Sequence, residues 1–243
     1  MVARVLDDRD LQRALVVTAH PDDVDFGAAG SVARWTSEGV EVAYCIVTNG
    51  EAGGFDDRAS REEVPAMRQG EQRAAAAVVG VSDLTFLGYP DGRLEPTIEL
   101  RRDITRVIRR VRPQRVLCQS PQRMWGRIFA SHPDHLAAGE SALCAVYPDS
   151  RNPYAFPELL EEGLAPWTVA EVWMMAHEQA NRWVDISATI ERKVKALLCH
   201  ASQLPDPDAI DGRMRAWAEA NAAAAGLPTG AYAEAFFAID TAG

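Results

Sequence analysis

Short apolar runs alternate with longer amphipathic stretches along most of the chain, separated by polar and turn-forming residues. Leu15-Val-Val-Thr-Ala19, Val42-Ala-Tyr-Cys-Ile-Val-Thr48, Leu84-Thr-Phe-Leu87 and Val116-Leu-Cys118 predict buried strands. Val172-Trp-Met-Met175 and Trp183-Val-Asp-Ile186 predict two more. Between them lie predicted helices. One spans Gly27 to Gly39, and one runs to about Val79 from a capping-box pair, Ser60 and Glu63, with Pro65 placed to kink or restart it. A third covers Ile98 to Val111, where Ile104, Val107, Ile108 and Val111 share one face and Pro113 stops it. Others start at His132-Pro-Asp-His135 and run to about Val146, and cover Ser187 to Cys199 and roughly Asp208 to Ala225. Asn49-Gly50 reads as a turn, Glu51 to Ala59 as a loop, and Gly88-Tyr-Pro-Asp-Gly92 as another.

Strands alternating with helices predict an α/β fold whose mostly parallel sheet has helices on both faces. No composition break suggests a second domain, so residues 1–243 are expected to form a single one. In such folds ligands bind outside the carboxyl ends of the strands. That points to His20–Asp23, Asn49–Gly54, Gly88–Gly92 and Gln119–His135.

Composition narrows the classes. The 243 residues are 47% hydrophobic and 25% charged, ordinary for a globular chain. A net charge of -10 argues against a binder of nucleic-acid backbones, which needs a basic footprint. The stretch Met1 to Asp10 has no apolar segment of the signal-peptide kind, and no run approaches the ~20 apolar residues of a membrane span. Cys45, Cys118, Cys144 and Cys199 are far apart and are expected as free thiols. A cytoplasmic location without structural disulfides is the expectation.

The chemistry concentrates in two similar tetrapeptides. His20-Pro-Asp-Asp23 follows the first strand, and His20 and Asp23 can turn toward one ion, both being good zinc ligands. Asp22 lies between them, placed to act as general base on a water activated by the metal. His132-Pro-Asp-His135 offers two more imidazoles at a loop–helix junction; one of them can complete a three-ligand site with an open position, and the other can face a substrate carbonyl. Two surface turns using Pro and Asp for turn and cap chemistry would produce the same spelling. Three of the five histidines, however, fall in these motifs, where the fold rule places a crevice.

The pentad Ala19-His-Pro-Asp-Asp23 together with His132-Pro-Asp-His135 resembles the signature of the LmbE-like (PIG-L-like) N-acetylglucosaminyl deacetylases. Thr48-Asn-Gly-Glu-Ala-Gly53 and Phe86-Leu-Gly-Tyr-Pro-Asp-Gly92 are similar to that family's later strand-end loops. The resemblance covers about the first 150 residues and implies a Rossmann-like sheet carrying a zinc-dependent de-N-acetylase. It implies that His20, Asp23 and His135 hold the metal and that Asp22 is the base. It also implies that His132 stabilises the oxyanion or protonates the leaving amine, and that Asp134 orients a histidine. Val24 and Asp25 stand where many members have Glu after the paired Asp, and Ala130 stands where some thiol-sugar deacetylases carry Tyr; both departures bear on substrate more than on reaction type.

Other residues carry weaker signals. Arg68, Asp91 and Glu51 are candidates to touch an amino-sugar substrate, set against a solvated helix face for Arg68 and turn chemistry for the acids. His177 and His200 read as structural, His200 because a helix C-terminus favours a cation. Trp125 and Phe129 lie on the long loop, as a lid or as packing. A site of two histidines and one aspartate binds Zn²⁺ and Fe²⁺ alike. An amidase acting on thiol-sugar conjugates and a catalytically silent sugar-binding module are the alternatives; intact ligands and an intact Asp22 favour the enzyme. No G-x-G-x-x-G follows the first strand, which argues against a dinucleotide cofactor. A homo-oligomer is compatible with everything above.

Overall fold

The computed structural model describes residues 6–54, 60 and 62–242. Its strands are β1 (Arg13–Thr18), β2 (Glu41–Thr48), β3 (Asp83–Tyr89), β4 (Arg115–Gln119), β5 (Glu171–Met175), β6 (Arg182–Asp185) and β7 (Ala233–Asp240). Its helices are α1 (Asp23–Gly27), α2 (Ala29–Ser37), α3 (Val64–Val78), α4 (Ile98–Val111), α5 (Pro133–Cys144), α6 (Glu158–Glu161), α7 (Ile190–Leu197) and α8 (Ile210–Ala224). Positions 55–59 of the predicted loop lie outside the described residues.

The strands form one sheet in the order β3-β2-β1-β4-β5-β7-β6. All run parallel from β3 through β5, and β7 lies antiparallel to both of its neighbours. Successive residues of the central strands feed opposite cores. Val16 of β1, Tyr44 and Ile46 of β2, Leu117 of β4 and Trp173 of β5 pack with α2 and α3 residues such as Val32, Trp35 and Ala75. Leu15, Val17, Cys45, Val116 and Val172 point the other way, into Leu100, Ile104 and Ile108 of α4 and Ala138 and Ala142 of α5. Burial on both faces explains why these strands read as continuous apolar runs.

The mostly parallel sheet with helices on both faces is the predicted architecture. β7 is the strand that the hydrophobic pattern did not reveal, and the one-turn helix α6 was not expected either. The Ala-rich sequence of β7 has weak strand character, and pairing with β5 and β6 holds it extended. The predicted helix from Gly27 to Gly39 is two helices, because Ala28 breaks the run at φ -146°. Pro65 sits in the first turn of α3 and starts that helix, and the Ser60 N–H donates to Glu63 Oε2 at 3.0 Å, one half of the predicted capping box. No helix of the described residues is long and apolar enough to cross a membrane. Cys45 and Cys118 are buried, Cys144 and Cys199 are half-buried, and all four are free.

The chain leaves β1 toward β2 and β3, then returns to β4 on the opposite side, so the strand order switches between β1 and β4. The Ala19 N–H donates to Gln119 Oε1 at 2.9 Å across that switch. Gly139 lets α5 lie against the same point: a Cβ there would meet the carbonyl oxygen of Gln119 at 2.3 Å. In an open helix, Gly→Ala stabilises by up to ~1 kcal/mol. Here the neighbour is backbone and cannot step aside, so Gly139→Ala is expected to destabilise by ~1–3 kcal/mol. A melting temperature several degrees below wild type is the expected readout; an unchanged or raised one would show that α5 does not depend on this contact.

Candidate metal centre at the strand switch

Both tetrapeptides meet beyond the ends of β1 and β4. The rings of His20, His132 and His135 lie with centroids 5.1 to 5.4 Å apart. Asp23 joins them: its Oδ2 is 3.4 Å from His20 Nδ1 and its Oδ1 is 3.0 Å from His135 Nε2. The far side of each of these two rings is already occupied. His20 Nε2 faces Asp91 Oδ1 at 3.0 Å and Asp134 Oδ2 at 3.2 Å. His135 Nδ1 lies 3.3 Å from the Ala130 carbonyl. Those acceptors take the outer N–H groups, so His20 Nδ1 and His135 Nε2 are the ring nitrogens left toward the Asp23 carboxylate, where a bound ion would take the place of their protons. Metal-binding imidazoles carry this same arrangement, the outer N–H held by a carboxylate or carbonyl.

Among the described residues, two groups have donor atoms close enough to share an ion: His20, His132 and His135, and His20, Asp91 and Asp134. The second group meets on the outer nitrogen of His20, and Asp23, which belongs to neither group, contacts both His20 and His135 of the first. The donor set fits a dication. Burial opposes a charge on His20, yet Asp23, Asp134 and Asp91 outweigh it and push its pKa up to about 12. Burial likewise opposes ionisation of Asp23, and His135 and His20 hold it well below the usual carboxylate range. The cluster therefore favours positive charge at its centre.

Asp22 stands beside this cradle in an uncommon backbone conformation, φ 93°, which costs on the order of 1–3 kcal/mol for a residue with a side chain. Groups from α3 hold it there. The Asp22 N–H donates to Gln72 Oε1 at 2.8 Å, and Gln72 Nε2 donates to Asp25 Oδ2 at 2.9 Å, which fixes the amide's orientation. Arg68 donates through Nη2 to the Pro21 carbonyl at 2.8 Å and to Asp22 Oδ2 at 3.1 Å, and through Nη1 to the Gly50 carbonyl at 2.7 Å. Burial, and then the neighbouring Asp23 carboxylate, push the pKa of Asp22 up to about 7.

His132 caps α5, its Nδ1 accepting the Asp134 N–H at 3.2 Å. That contact assigns the proton of the neutral ring to Nε2. Burial and the neighbouring His20 and His135 lower its pKa, so the ring is neutral and presents an N–H donor. Asp134, fully buried, accepts from the Gly92 N–H at 2.7 Å and the Leu94 N–H at 3.2 Å, and so anchors the β3–α4 loop to His20.

Arg68, Asp91 and Glu51 all come to this place with most of their polar atoms engaged within the chain, while Glu51 Oε2 and Arg68 Nε are buried without a hydrogen-bond partner among the described residues. Arg68 is 3% exposed, so the solvated-face reading does not hold. Asp91 uses Oδ1 on His20 and Oδ2 on the Ala52 N–H, and Glu51 Oε1 accepts the Asp91 N–H at 2.9 Å. His200 is structural, though not for the helix-end reason: it is fully buried with Nε2 at 2.8 Å from Asp25 Oδ2. His177 stacks on Phe237 at 4.2 Å, away from the cluster. Gln72 escaped the sequence reading, and Asp25 entered it only as a departure from the family pattern; a Gln one helical turn after Arg68 was the available signal.

Residues 15–146 match the family model described as PIG-L, GlcNAc-PI de-N-acetylase. The chain is 32% identical over 197 residues to the diacetylchitobiose deacetylase of Thermococcus kodakarensis, covering 81% of this chain and 72% of that one. It is 28% identical to the 1D-myo-inositol 2-acetamido-2-deoxy-alpha-D-glucopyranoside deacetylase of Rhodococcus erythropolis, covering 79% of this chain and 81% of that protein. Among solved structures, the N,N'-diacetylchitobiose deacetylase from Pyrococcus horikoshii superposes with a TM-score of 0.86 at 30% identity, covering 95% of this chain and 85% of that one.

Proposed function

The chain belongs to the PIG-L family of GlcNAc-PI de-N-acetylases, and from that premise we propose that it is a metal-dependent de-N-acetylase acting on an N-acetylated amino-sugar small molecule. The observation that carries this reading is Asp23 bridging the two motifs, one oxygen toward His20 Nδ1 and the other toward His135 Nε2, with Asp22 next to it in the chain and the His132 ring 5.1 and 5.4 Å from the other two rings. His20, Asp23 and His135 are the proposed ligands, zinc the proposed ion and Fe²⁺ its competitor.

Held by His20, Asp23 and His135, a dication would supply Lewis acidity, which lowers the pKa of water to ~7 and polarises an amide carbonyl. Arg68 occupies Asp22 Oδ2, so Oδ1 is the atom left to take the proton from the attacking water. The Nε2–H of His132 donates to the carbonyl oxygen as it gains negative charge; losing one donor of this kind typically costs ~10²–10³ in rate. Asp22 then gives its proton to the amide nitrogen as the C–N bond breaks, so that the free amine and acetate are the products. Asp91 and Asp134 fix the ring of His20, and Arg68 and Gln72 fix Asp22. Glu51 acts one step further back, through Asp91.

Because relatives are named for diacetylchitobiose, that disaccharide and N-acetylglucosamine are the first substrates to offer. Acetate release is expected, abolished by a chelator and restored by zinc. Hydrolysis that persists at full rate in the chelator would end the metal-dependent reading.

A further inference from the structure

A cavity of about 350 Å³ opens from Asp23 and His135 toward the C-terminal part of the chain. The segment Trp125–Ser131, α8 and the start of β7 enclose it, and α8 and β7 lie outside the stretch matched by the family model. Its walls are mainly apolar: Phe26, Phe129, Met175, Met214 and Trp217. Polar groups within it are mostly spent. Lys193 Nζ donates to Glu234 Oε1 at 2.6 Å, and Glu234 in turn accepts the Gly30 and Ser31 N–H groups of α2. Asn221 Nδ2 donates to the Ala233 carbonyl at 3.2 Å.

Two lining residues differ. Arg127 and Arg213 have no carboxylate partner among the described residues, in a chain whose net charge is -10. The Arg127 guanidinium lies 4.9 Å from the Trp217 ring and 5.4 Å from the Phe129 ring, and Arg213 stands one turn before Trp217 on α8. Both side chains reach solvent, Arg213 exposed and Arg127 half-buried, so each can meet an anion entering the cavity. Arginine suits that task, since its planar fork matches a carboxylate or a phosphate.

We propose that this cavity receives the part of the substrate beyond the cleaved amide, and that Arg127 and Arg213 select substrates in which that part is an apolar or aromatic body bearing an oxyanion. The inference rests on the deacetylase reading and names its substrate class.

The test uses three glycosides of N-acetylglucosamine: phenyl, 4-carboxyphenyl and 4-(phosphonooxy)phenyl. Dissociation constants are read by quenching of tryptophan fluorescence in zinc-loaded Asp22→Asn protein, and kcat/KM from acetate release by the wild-type holoenzyme. An anionic glycoside is expected to bind about tenfold tighter than the phenyl one, with the margin shrinking at 0.5–1 M salt, where the screening length falls to ~3 Å. A gain for only one of the two anions assigns the oxyanion to that source. In Arg127→Gln/Arg213→Gln the ratio is expected to fall to about one, and Arg127→Lys/Arg213→Lys is expected to recover part of it. Equal affinities in the wild-type sites, or a preference that survives the glutamine pair, overturn the proposal. Tight anionic binding without acetate release would instead keep the anion site and remove the deacetylase reading.

Discussion

Asp22→Asn is expected to keep its metal and lose activity by a factor of ~10²–10⁴, the usual contribution of a positioned general base. The substitution is close to isosteric, and asparagine tolerates positive φ better than most residues. Its N–H still reaches Gln72, and its side-chain oxygen still accepts from Arg68. Geometry is therefore preserved, and only the proton acceptor at Oδ1 is removed. The pH profile carries a second signature. Asp22 is pushed up to about 7 by burial and by the Asp23 carboxylate, and a dication bound by Asp23 would offset that repulsion and bring it lower. Activity of the loaded wild type should rise with pH through the acid limb as Asp22 loses its proton, and the Asn variant should lack that limb. Gln72→Leu is the informative comparison, because it keeps the carboxylate but removes the group that holds φ at 93°. It should lower kcat by a smaller factor while retaining the acid limb. Kinetics within about twofold of wild type for Asp22→Asn, with its acid limb intact, would remove Asp22 from the role of base.

Much of this arrangement was legible in the sequence, for a physical reason. Strands covered on both faces must be apolar at every position, so β1, β2, β4 and β5 stand out as runs. α4 is set by its own residues: Thr97 accepts the Leu100 N–H at its start, and Arg112 turns out of the helix at φ 55° just before Pro113. The tetrapeptides bearing His20 and His132 were legible because their chemistry is local. Groups that act across the fold were not. Gln72 and Asp25 matter because one meets Asp22 across 50 residues and the other meets Gln72 across 47. Spacing alone also left open which histidine of the second tetrapeptide binds metal. The proposal of His135 is supported by its Nε2 lying 3.0 Å from Asp23 while His132 Nδ1 caps α5. Arg68 looked as much like a surface residue as a site residue, since which face of α3 is buried depends on packing rather than on that helix's own pattern.

Asp23→Ala should bring the metal content from about one equivalent to near zero after dialysis, the largest expected change of any single substitution. Asp23 offers one oxygen toward each imidazole, and its backbone neighbour His20 donates its N–H to Oδ2 at 2.7 Å. Removing it takes away a proposed ligand and the carboxylate that contacts both His20 Nδ1 and His135 Nε2. Asp91 and Asp134 cannot substitute, because they lie on the opposite nitrogen of His20, where both are already hydrogen-bonded to backbone N–H groups. That geometry separates ligand from support. Asp134→Asn leaves the cradle's atoms in place and weakens only the hold on His20, so its metal affinity should fall by ~10–100-fold, as is typical of such partners. His135→Ala should resemble Asp23→Ala, whereas His132→Ala should retain the ion and lose rate. Elemental analysis of the four variants, purified without chelator beside the wild type, distinguishes these outcomes. Full metal in Asp23→Ala with none in Asp134→Asn would move the ion to the other side of His20, among Asp91 and Asp134, and would take Asp22 and His132 out of reach of the reacting amide.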